Sequence, residues 1–378
     1  MGLMGVSPHR LIHNGLFPVI LAVCMLLILM GCGGGGNASS VPSLTNAAPL
    51  GPGATPRPPG GTPRPTPGPS AMPSTGPTPT PPPGGNVAGF QGCPVFTAGD
   101  WYNANVGAAA IDPNSAGYVN SLMQYGDGAG FWASTGIEFI NLANSSTPRI
   151  AVNSVPDGQK FSVPYPWLPS YRIEPDVDHH AMVLDTSRCQ LYELYGTQYS
   201  GGALSAYSGF IWNLQAPMTS PPAGLPSAMA SGLSLFAGAV KWEEYLAGSI
   251  NHALNWAPAE GSISQYNFVA PATDTGGLPF VGPPTAPQIP YGSHLRLRAS
   301  FNTTGMGPQA RAVVKAMQTY GIYLADTGGT CCGNALYFIN AIDGSNPWDT
   351  SDLDGLVRIH ISDFDVLRMP PLQRVPGR

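Results

Sequence analysis

The chain has 378 residues, of which 10% are charged, and a formal net charge of −5 at pH 7. This balance argues against nucleic acid as a partner, because nucleic-acid binding needs a basic surface. The sequence contains neither a Walker loop nor an HExxH motif, so no motif indicates a nucleotide cofactor or a zinc-peptidase site. We therefore predict no cofactor, and the motifs assign no metal.

The first 31 residues have the features of a lipoprotein signal peptide. The apolar run of residues 16–30 is shorter than the roughly 20 residues that a transmembrane helix needs, and it fits a signal-peptide core. The run ends in Leu29-Met30-Gly31-Cys32, which has the form of a bacterial lipobox. We predict export, cleavage before Cys32, and a partner membrane reached through lipid on that thiol. Gly33, directly after the lipidated cysteine, favours anchoring in the outer rather than the inner membrane. The alternative to a cleaved lipoprotein signal peptide is an uncleaved signal anchor.

Residues 32–89 are rich in proline, threonine, glycine and serine and contain no aromatic residue. Such a segment cannot bury enough apolar surface to offset the entropy lost on ordering. Its dense prolines favour extended polyproline II conformations. We predict a disordered tether between the lipid anchor and a folded domain.

Residues 90–378 carry the folded domain, with 13 basic and 21 acidic residues and thus a net charge of −8. This length suffices for one large core. Apolar and polar residues alternate in short segments between Gly and Pro turns, which is typical of strands. We predict a mainly β, β-sandwich or jelly-roll-like single domain with two or three short helices, and we expect a monomer.

Strand candidates follow one another along this domain. Residues 180–184 and 190–195 flank a polar turn and predict a β-hairpin. Further candidates are residues 208–214, 249–256, 265–270, 294–301, 322–325, 335–342 and 356–361.

Two helices are predicted. The first opens at Asp112-Pro113 and has an inner face of Tyr118, Leu122 and Tyr125. The second begins at Pro308 and ends at Gly321. Its inward residues are Val313, Val314, Met317 and Tyr320.

The cysteines agree with an oxidising compartment. With Cys32 lipidated, Cys93, Cys189, Cys331 and Cys332 remain in the mature chain, and four cysteines permit three pairings. A bridge between Cys93 and Cys189 leaves the other two adjacent, where a disulfide is strained. A zinc site is the alternative, although no CxxC pair lies near Cys331.

The hairpin gives the sharpest chemical prediction. A four-residue turn that pairs Leu184 with Cys189 places His180 opposite Glu193 on one face. A paired histidine and glutamate can act as general acid and base. The alternative is a structural cross-strand hydrogen bond.

Further ligand-type residues precede the hairpin: Glu174, Asp176, Asp178 and His179. Glu174 and Asp178 join His180 and Glu193 as catalytic candidates. The alternative is a metal site of histidine and carboxylate type formed by Asp176, Asp178, His179 and His180, although their spacing matches no specific signature.

Residues 241–245 place carboxylates beside aromatic rings, as sugar-processing sites do. Trp242 is a candidate for sugar binding and Glu243 for catalysis. Glycoside hydrolysis needs two carboxylates about 5–10 Å apart, and we pair Glu193 with Glu243 or Glu174.

Elimination on acidic polysaccharides would instead use a His or Tyr base and a neutralising arginine, and His180, His252 and Arg296 suit those roles. The guanidinium of Arg296 can also bind a carboxylate with two parallel hydrogen bonds. His252 lies among apolar residues, so it could instead be a buried histidine with a structural role. Arg296 could instead be a solvent-exposed residue that binds nothing. The chain has no Gly-x-Ser-x-Gly elbow, which disfavours a serine hydrolase.

Several short motifs are spread over residues 93–366: Cys93-Pro94-Val95-Phe96, Val163-Pro164-Tyr165-Pro166, Asp178-His179-His180, Leu191-Tyr192-Glu193-Leu194, His252-Ala253-Leu254 and Ala325-Asp326. Together they resemble an uncharacterised family of exported bacterial proteins. The resemblance implies a Cys93–Cys189 disulfide, because these two cysteines belong to the pattern and Cys331 and Cys332 do not. Asp274 stands where the family pattern has a histidine.

The resemblance also implies one candidate set of polar residues: Glu174, Asp178, His180, Glu193, His252, Arg296 and Asp326. It brings no activity with it. We expect a surface-tethered enzyme that cleaves extracellular polysaccharide, either a glycoside hydrolase or a polysaccharide lyase. Its substrate-binding candidates are His252, Arg296, Trp242 and Asp326. The alternatives are a non-catalytic glycan- or envelope-binding module and a purely structural polar network.

Overall fold

The computed structural model describes residues 89–126, 129–328 and 333–377. The predicted signal peptide, Cys32, the tether as far as residue 88, and Cys331 and Cys332 lie outside these residues. The described part of the chain belongs to one compact unit, residues 79–378. It is mainly β and sandwich-like, as predicted. None of its helices is both long and apolar enough to cross a membrane.

The strands of the described residues are, in chain order, β1 Gly89–Phe90, β2 Cys93–Pro94, β3 Trp132–Glu138, β4 Ile140–Ala143, β5 Arg149–Ile150, β6 Val152–Ser154, β7 Tyr165–Pro166, β8 Ala181–Asp185, β9 Gln190–Tyr195, β10 Gln198–Ser200, β11 Ala203–Ala206, β12 Ser208–Asn213, β13 Val240–Lys241, β14 Leu254–Ala257, β15 Asn267–Phe268, β16 His294–Leu297, β17 Ile322–Leu324, β18 Ala335–Ile339, β19 Phe364–Val366 and β20 Gln373–Arg374. The helices are α1 Ser115–Tyr125, α2 Leu235–Gly238, α3 Trp242–Leu246, α4 Pro308–Thr319 and α5 Thr350–Leu353. Two 3₁₀ turns span Asp354–Arg358 and Ile361–Asp363.

The larger sheet has seven strands, and β18 pairs with three of them. On one side β18 pairs in parallel with β3, and on the other it pairs with β13 and β14. β17, β16 and β19 continue the sheet beyond β14. The two longer helices, α1 and α4, pack into the core of this sheet through Val119, Leu122, Val313 and Met317.

The second sheet has four strands in the order β12-β9-β8-β4. β8 and β9 form the predicted hairpin, but Met182 lies opposite Glu193 and Asp185 opposite Gln190. The turn therefore covers residues 186–189 and ends on Cys189, whose φ is 49°. The predicted pairing of His180 with Glu193 is wrong by two residues.

The helix predictions are largely confirmed. α1 and α4 lie where the sequence places them, and Gly321 follows α4 with a φ of 80°. The buried face of α1 contains Val119 and Leu122, while Tyr118 and Tyr125 are only half-buried. Five helices are present in the described residues, where two or three were expected. The other three span four or five residues each, too few for a helical period to be recognised.

The strand predictions are less accurate at their ends. The predicted strand of residues 249–256 begins only at Leu254, and that of residues 294–301 ends at Leu297. The predicted strand of residues 356–361 is wrong, because this segment overlaps both 3₁₀ turns.

A disulfide fixes the start of the domain to the second sheet. Cys93 on β2 is bonded to Cys189 in the hairpin turn, 96 residues later, which confirms the expected pair. Phe90 and Phe96 are buried in the same core cluster as Leu184 and Leu191 of the hairpin. The bridge therefore reinforces an apolar contact between distant parts of the sequence.

Removing this bridge should lower the free energy of unfolding by about 2–5 kcal/mol, because the cross-link restricts the unfolded chain. The Cys93→Ser/Cys189→Ser double variant should unfold at a lower denaturant concentration than the wild type. Wild type treated with reductant should behave like this variant. An unchanged unfolding midpoint in both samples would contradict the prediction.

Candidate active site

Three buried ionisable side chains meet beside the edge of the second sheet. β4 pairs in parallel with β8, with Ile140 beside Met182. Glu138 and His180 each stand two residues before this pair, and their side chains meet there. The His180 Nδ1 atom lies 3.3 Å from Glu138 Oε1 and 2.8 Å from Glu174 Oε2. Only 1% of Glu138 and 4% of both Glu174 and His180 is exposed.

A short loop brings Glu174 onto His180. The backbone N–H of Glu174 donates to the carbonyl of His180 at 2.8 Å, and the N–H of His180 donates to Glu174 Oε2 at 2.9 Å. Inside the loop, His179 has a φ of 48°, a left-handed conformation that strains a non-glycine backbone. The loop is thus held in one shape by its own hydrogen bonds, and that shape places a carboxylate against the imidazole.

The two nitrogens of the His180 ring have different surroundings. Nε2 lies 3.1 Å from the carbonyl oxygen of Ala228. A carbonyl can only accept, so Nε2 carries a hydrogen. Nδ1 therefore faces the carboxylates with either a lone pair or a second proton. Neither Nδ1 nor the two carboxylate oxygens of Glu138 make a hydrogen bond of acceptable geometry among the described residues.

Burial and charge oppose each other in this group. Burial disfavours the imidazolium, but the carboxylates of Glu138 and Glu174 outweigh it and raise the pKa of His180 well above its usual range. Burial also opposes ionisation of Glu174, yet its contacts with His180 lower its pKa. For Glu138 burial dominates, and its pKa is raised. His180 thus contacts two carboxyl groups, of which Glu174 has a lowered pKa and Glu138 a raised one.

Two further carboxyl groups extend the group towards solvent. Asp178 is exposed and Asp326 is half-buried. The backbone N–H groups of Ala230 and Thr327 donate to Asp326 at 3.1 Å and 2.8 Å. Burial, and then the charge of Asp178, raise the pKa of Asp326 to about 6. The five residues that form this group are named the His180 cluster: Glu138, Glu174, Asp178, His180 and Asp326.

Tyrosines lie around the His180 cluster. The Tyr195 ring centre lies 5.7 Å from that of His180. Burial, and then the charge of nearby Asp178, raise the pKa of the Tyr195 hydroxyl. Tyr195 also meets Tyr207 edge to face at 6.1 Å, and 42% of Tyr207 is exposed. An aromatic surface therefore leads from solvent to the carboxyl groups.

The structure brings together four of the residues that the sequence singles out: Glu174, Asp178, His180 and Asp326. Glu138 was not predicted from the sequence. The small polar residues and the glycine at positions 134–136 interrupt the apolar alternation by which β3 would have been recognised. A lone acidic residue in the otherwise apolar run of residues 137–140 is the signal that was available. A single charge in such a run is unusual unless it has a buried partner.

Glu193 belongs to a separate buried network at the start of α2. Its carboxylate accepts hydrogen bonds from Trp212 Nε1 at 2.8 Å, Ser234 Oγ at 2.9 Å, Phe236 N at 2.8 Å and Leu235 N at 3.3 Å. Four donors occupy its two oxygens. This arrangement ties α2 to β9 and β12, and it gives Glu193 a structural task.

His252 forms another buried group. Its Nε2 atom lies 2.9 Å from Glu244 Oε2, and Lys241 Nζ lies 3.1 Å from Glu244 Oε1. Lys241 and His252 are fully buried. The inward-facing carboxylate is thus that of Glu244, whereas Glu243 accepts the N–H of Ile342 at 3.2 Å.

Trp242 and Arg296 make contacts that hold the fold together. The Trp242 ring packs edge to face on Trp348, with ring centres 5.0 Å apart. Arg296 donates to the carbonyls of Val106 and Gly107, both at 2.8 Å, and lies 3.4 Å from Asp365. The contacts found for Glu193, Glu243, His252, Trp242 and Arg296 therefore lie outside the His180 cluster.

Comparison with known proteins adds no assignment. The chain matches no family model, no curated protein and no solved structure. The resemblance to exported bacterial proteins stays a prediction, and the functional argument rests on the His180 cluster itself.

The raised pKa of Asp326 predicts a pH-dependent contribution to stability. Its carboxyl group should hold its proton up to about pH 6 in the folded chain, against 3.8 ordinarily. The stability that it contributes is therefore complete below about pH 3.8 and is lost as the pH rises through 6. The ionisable groups that face it are Asp178, His180, Tyr195, Tyr291 and Tyr337.

Asp326→Asn should lack this loss, so its stability relative to wild type should improve as the pH rises from 4 to 7. Chemical unfolding at several pH values measures the difference. Asp157→Asn, at an exposed position, is the matched control and should follow the wild type. A constant difference between Asp326→Asn and wild type would contradict the raised pKa.

Proposed function

We propose that the protein is an exported, lipid-anchored enzyme that cleaves extracellular polysaccharide, with the His180 cluster as its active site. The observation that carries this proposal is a pair of carboxyl groups in different environments. Burial raises the pKa of both aspartates, that of Asp326 to about 6, and Asp178 is the more exposed of the two. Unequal carboxyl pairs of this kind divide the roles of acid and base in glycoside hydrolysis.

The two aspartates then have separate roles. Asp326 still holds its proton in part near neutral pH, so it is the group suited to protonate the departing glycosidic oxygen. Asp178 is accessible to water and is the second carboxylate of the pair.

The charge of the site favours hydrolysis of a neutral polysaccharide over elimination on an acidic one. The ion pairs found among the described residues give Glu138 and Glu174 one partner, His180. Carboxyl groups without a neighbouring arginine repel a uronic acid, whereas lyase chemistry requires its charge to be neutralised. The exposed ring of Tyr207 adds an apolar face on which a sugar ring can pack.

The test is release of new reducing ends from a panel of neutral and acidic polysaccharides by the purified protein. Wild type should act on a neutral member, without forming unsaturated products. Asp326→Asn and Asp178→Asn should each reduce the rate about 10²–10⁴-fold, the usual contribution of a positioned acid or base. Asp157→Asn should keep the wild-type rate.

Glu193→Gln distinguishes an active-site carboxylate from a structural one. It replaces an acceptor of four hydrogen bonds, so it should lower the melting temperature but retain cleavage per folded molecule. Retention of a polysaccharide without cleavage would instead indicate a glycan-binding module. If neither binding nor cleavage occurs and the aspartate variants change only stability, the cluster is structural.

The anchor is the second part of the proposal. A disulfide between Cys93 and Cys189 supports export, because such bonds persist in oxidising compartments. In bacteria fed a labelled fatty acid, the wild-type chain should acquire label and sediment with membranes. Cys32→Ser should lose the label, and Cys24→Ser, within the apolar run, should keep it. Labelling that survives Cys32→Ser would rule out the lipobox assignment.

A further inference from the structure

The buried end of the His180 cluster contains polar atoms that make no hydrogen bond of acceptable geometry among the described residues: both carboxylate oxygens of Glu138 and the Nδ1 atom of His180. The ion pair found there for Glu138 is its 3.3 Å contact with that Nδ1 atom. Glu138 is 99% buried, so bulk water does not replace the missing partner. Buried carboxylates are normally paired, hydrogen-bonded or bound to a metal. The Glu138 oxygens therefore indicate a ligand between these side chains.

The spacing of the three side chains suits a small ion. Glu138, Glu174 and His180 each offer one ligand atom, and these atoms lie within 4.8 Å of one another. Ligands about 2.1 Å from a tetrahedral ion are separated by about 3.4 Å. The distance from His180 Nδ1 to Glu138 Oε1 is 3.3 Å, and that to Glu174 Oε2 is 2.8 Å. Glu174 has to move by about half an ångström to admit the ion.

The hydrogen bonds behind these ligands are those that a metal site needs. His180 donates its Nε2 hydrogen to the carbonyl of Ala228, which fixes the ring and leaves Nδ1 to bind a cation. Glu174 Oε2 accepts the N–H of His180, which orients its carboxylate. Metal-bound histidines and carboxylates are held by such outer contacts.

The charges point the same way. Glu138 and Glu174 lie near two further carboxyl groups, Asp178 and Asp326, and a dication balances this excess. One imidazole and two carboxylates are a ligand set for Zn²⁺ or Mn²⁺. Ca²⁺ instead takes six to eight oxygen ligands, and Mg²⁺ keeps much of its water.

We propose that Glu138, Glu174 and His180 bind one divalent transition-metal ion, Zn²⁺ or Mn²⁺. The inference concerns the same cluster as the proposed function but does not depend on catalysis. The competing occupant is a proton, which would convert His180 to an imidazolium between two carboxylates.

The experiment is titration calorimetry of the full-length protein, first stripped with EDTA and dialysed. Zn²⁺ and Mn²⁺ are the probes, and Ca²⁺ is the comparison. Wild type should bind one equivalent of Zn²⁺ or Mn²⁺, bind Ca²⁺ more weakly, and melt at a higher temperature in the presence of the bound ion. Loss of a ligand should weaken binding more than the 10–100-fold that loss of an outer contact costs.

Glu138→Gln is the decisive variant, because it removes one proposed ligand. If the site binds metal, Zn²⁺ or Mn²⁺ should raise the melting temperature of wild type above its value in EDTA, and the variant should lose this rise. If the site holds only a proton, both proteins should melt at the same temperature with the ions as in EDTA, and this result would overturn the inference.

Glu174→Gln provides a second variant in case Glu138→Gln does not fold, and Glu260→Gln, outside the cluster, is the control. Equal ion binding by wild type and both cluster variants would overturn the inference, because the ion would then lie elsewhere. Ion binding without polysaccharide cleavage would support the metal site and refute the proposed activity. Cleavage of polysaccharide in EDTA by a protein that binds no ion would support the proposed activity and refute the metal site.

Discussion

The pairing of β8 with β9 constrains most of the features described above. Side chains alternate between the faces of a sheet, so the register with Met182 opposite Glu193 decides which residues enter which core. It sends Glu193 towards Trp212 and α2, and it ends at Cys189, where the disulfide reaches back to Cys93. A slip of one residue would break the four bonds to Glu193 and move Cys189 away from its partner.

The N-terminal end of β8 positions the candidate site. β8 begins at Ala181, so His180 stands where the hairpin leaves the loop that contains Glu174. Glu138 ends β3, one residue before the parallel neighbour β4, and Asp326 follows β17 of the larger sheet. Histidine and carboxyl groups from three separate parts of the chain therefore meet at strand ends, where a rigid sheet holds them and solvent can still approach Asp178.

Local patterns in the sequence predicted the features that are themselves local. Alternation gave the hairpin, and Pro308 with Gly321 gave the second long helix. The several carboxylate and histidine residues just before residue 181 indicated that Glu174, Asp178 and His180 belong to a functional site. The hairpin register could not be fixed in this way, because Cys189 adopts a left-handed conformation inside the turn and moves the pairing by two residues. Glu138 depends on a parallel pairing between distant segments, which short-range patterns do not encode.

The position of the disulfide also determines how the domain responds to a pull. Any tension along the chain from its N-terminal side enters the described structure at Gly89 and meets the cross-linked Cys93 four residues later. β1 can be peeled away, but at Cys93, which begins β2, the load passes directly into the hairpin turn at Cys189. The segment between the two cysteines, including β3 and Glu138, is thereby bypassed. Mechanical force from the N-terminal side of the chain would reach the four-stranded sheet without stretching the strand that carries Glu138.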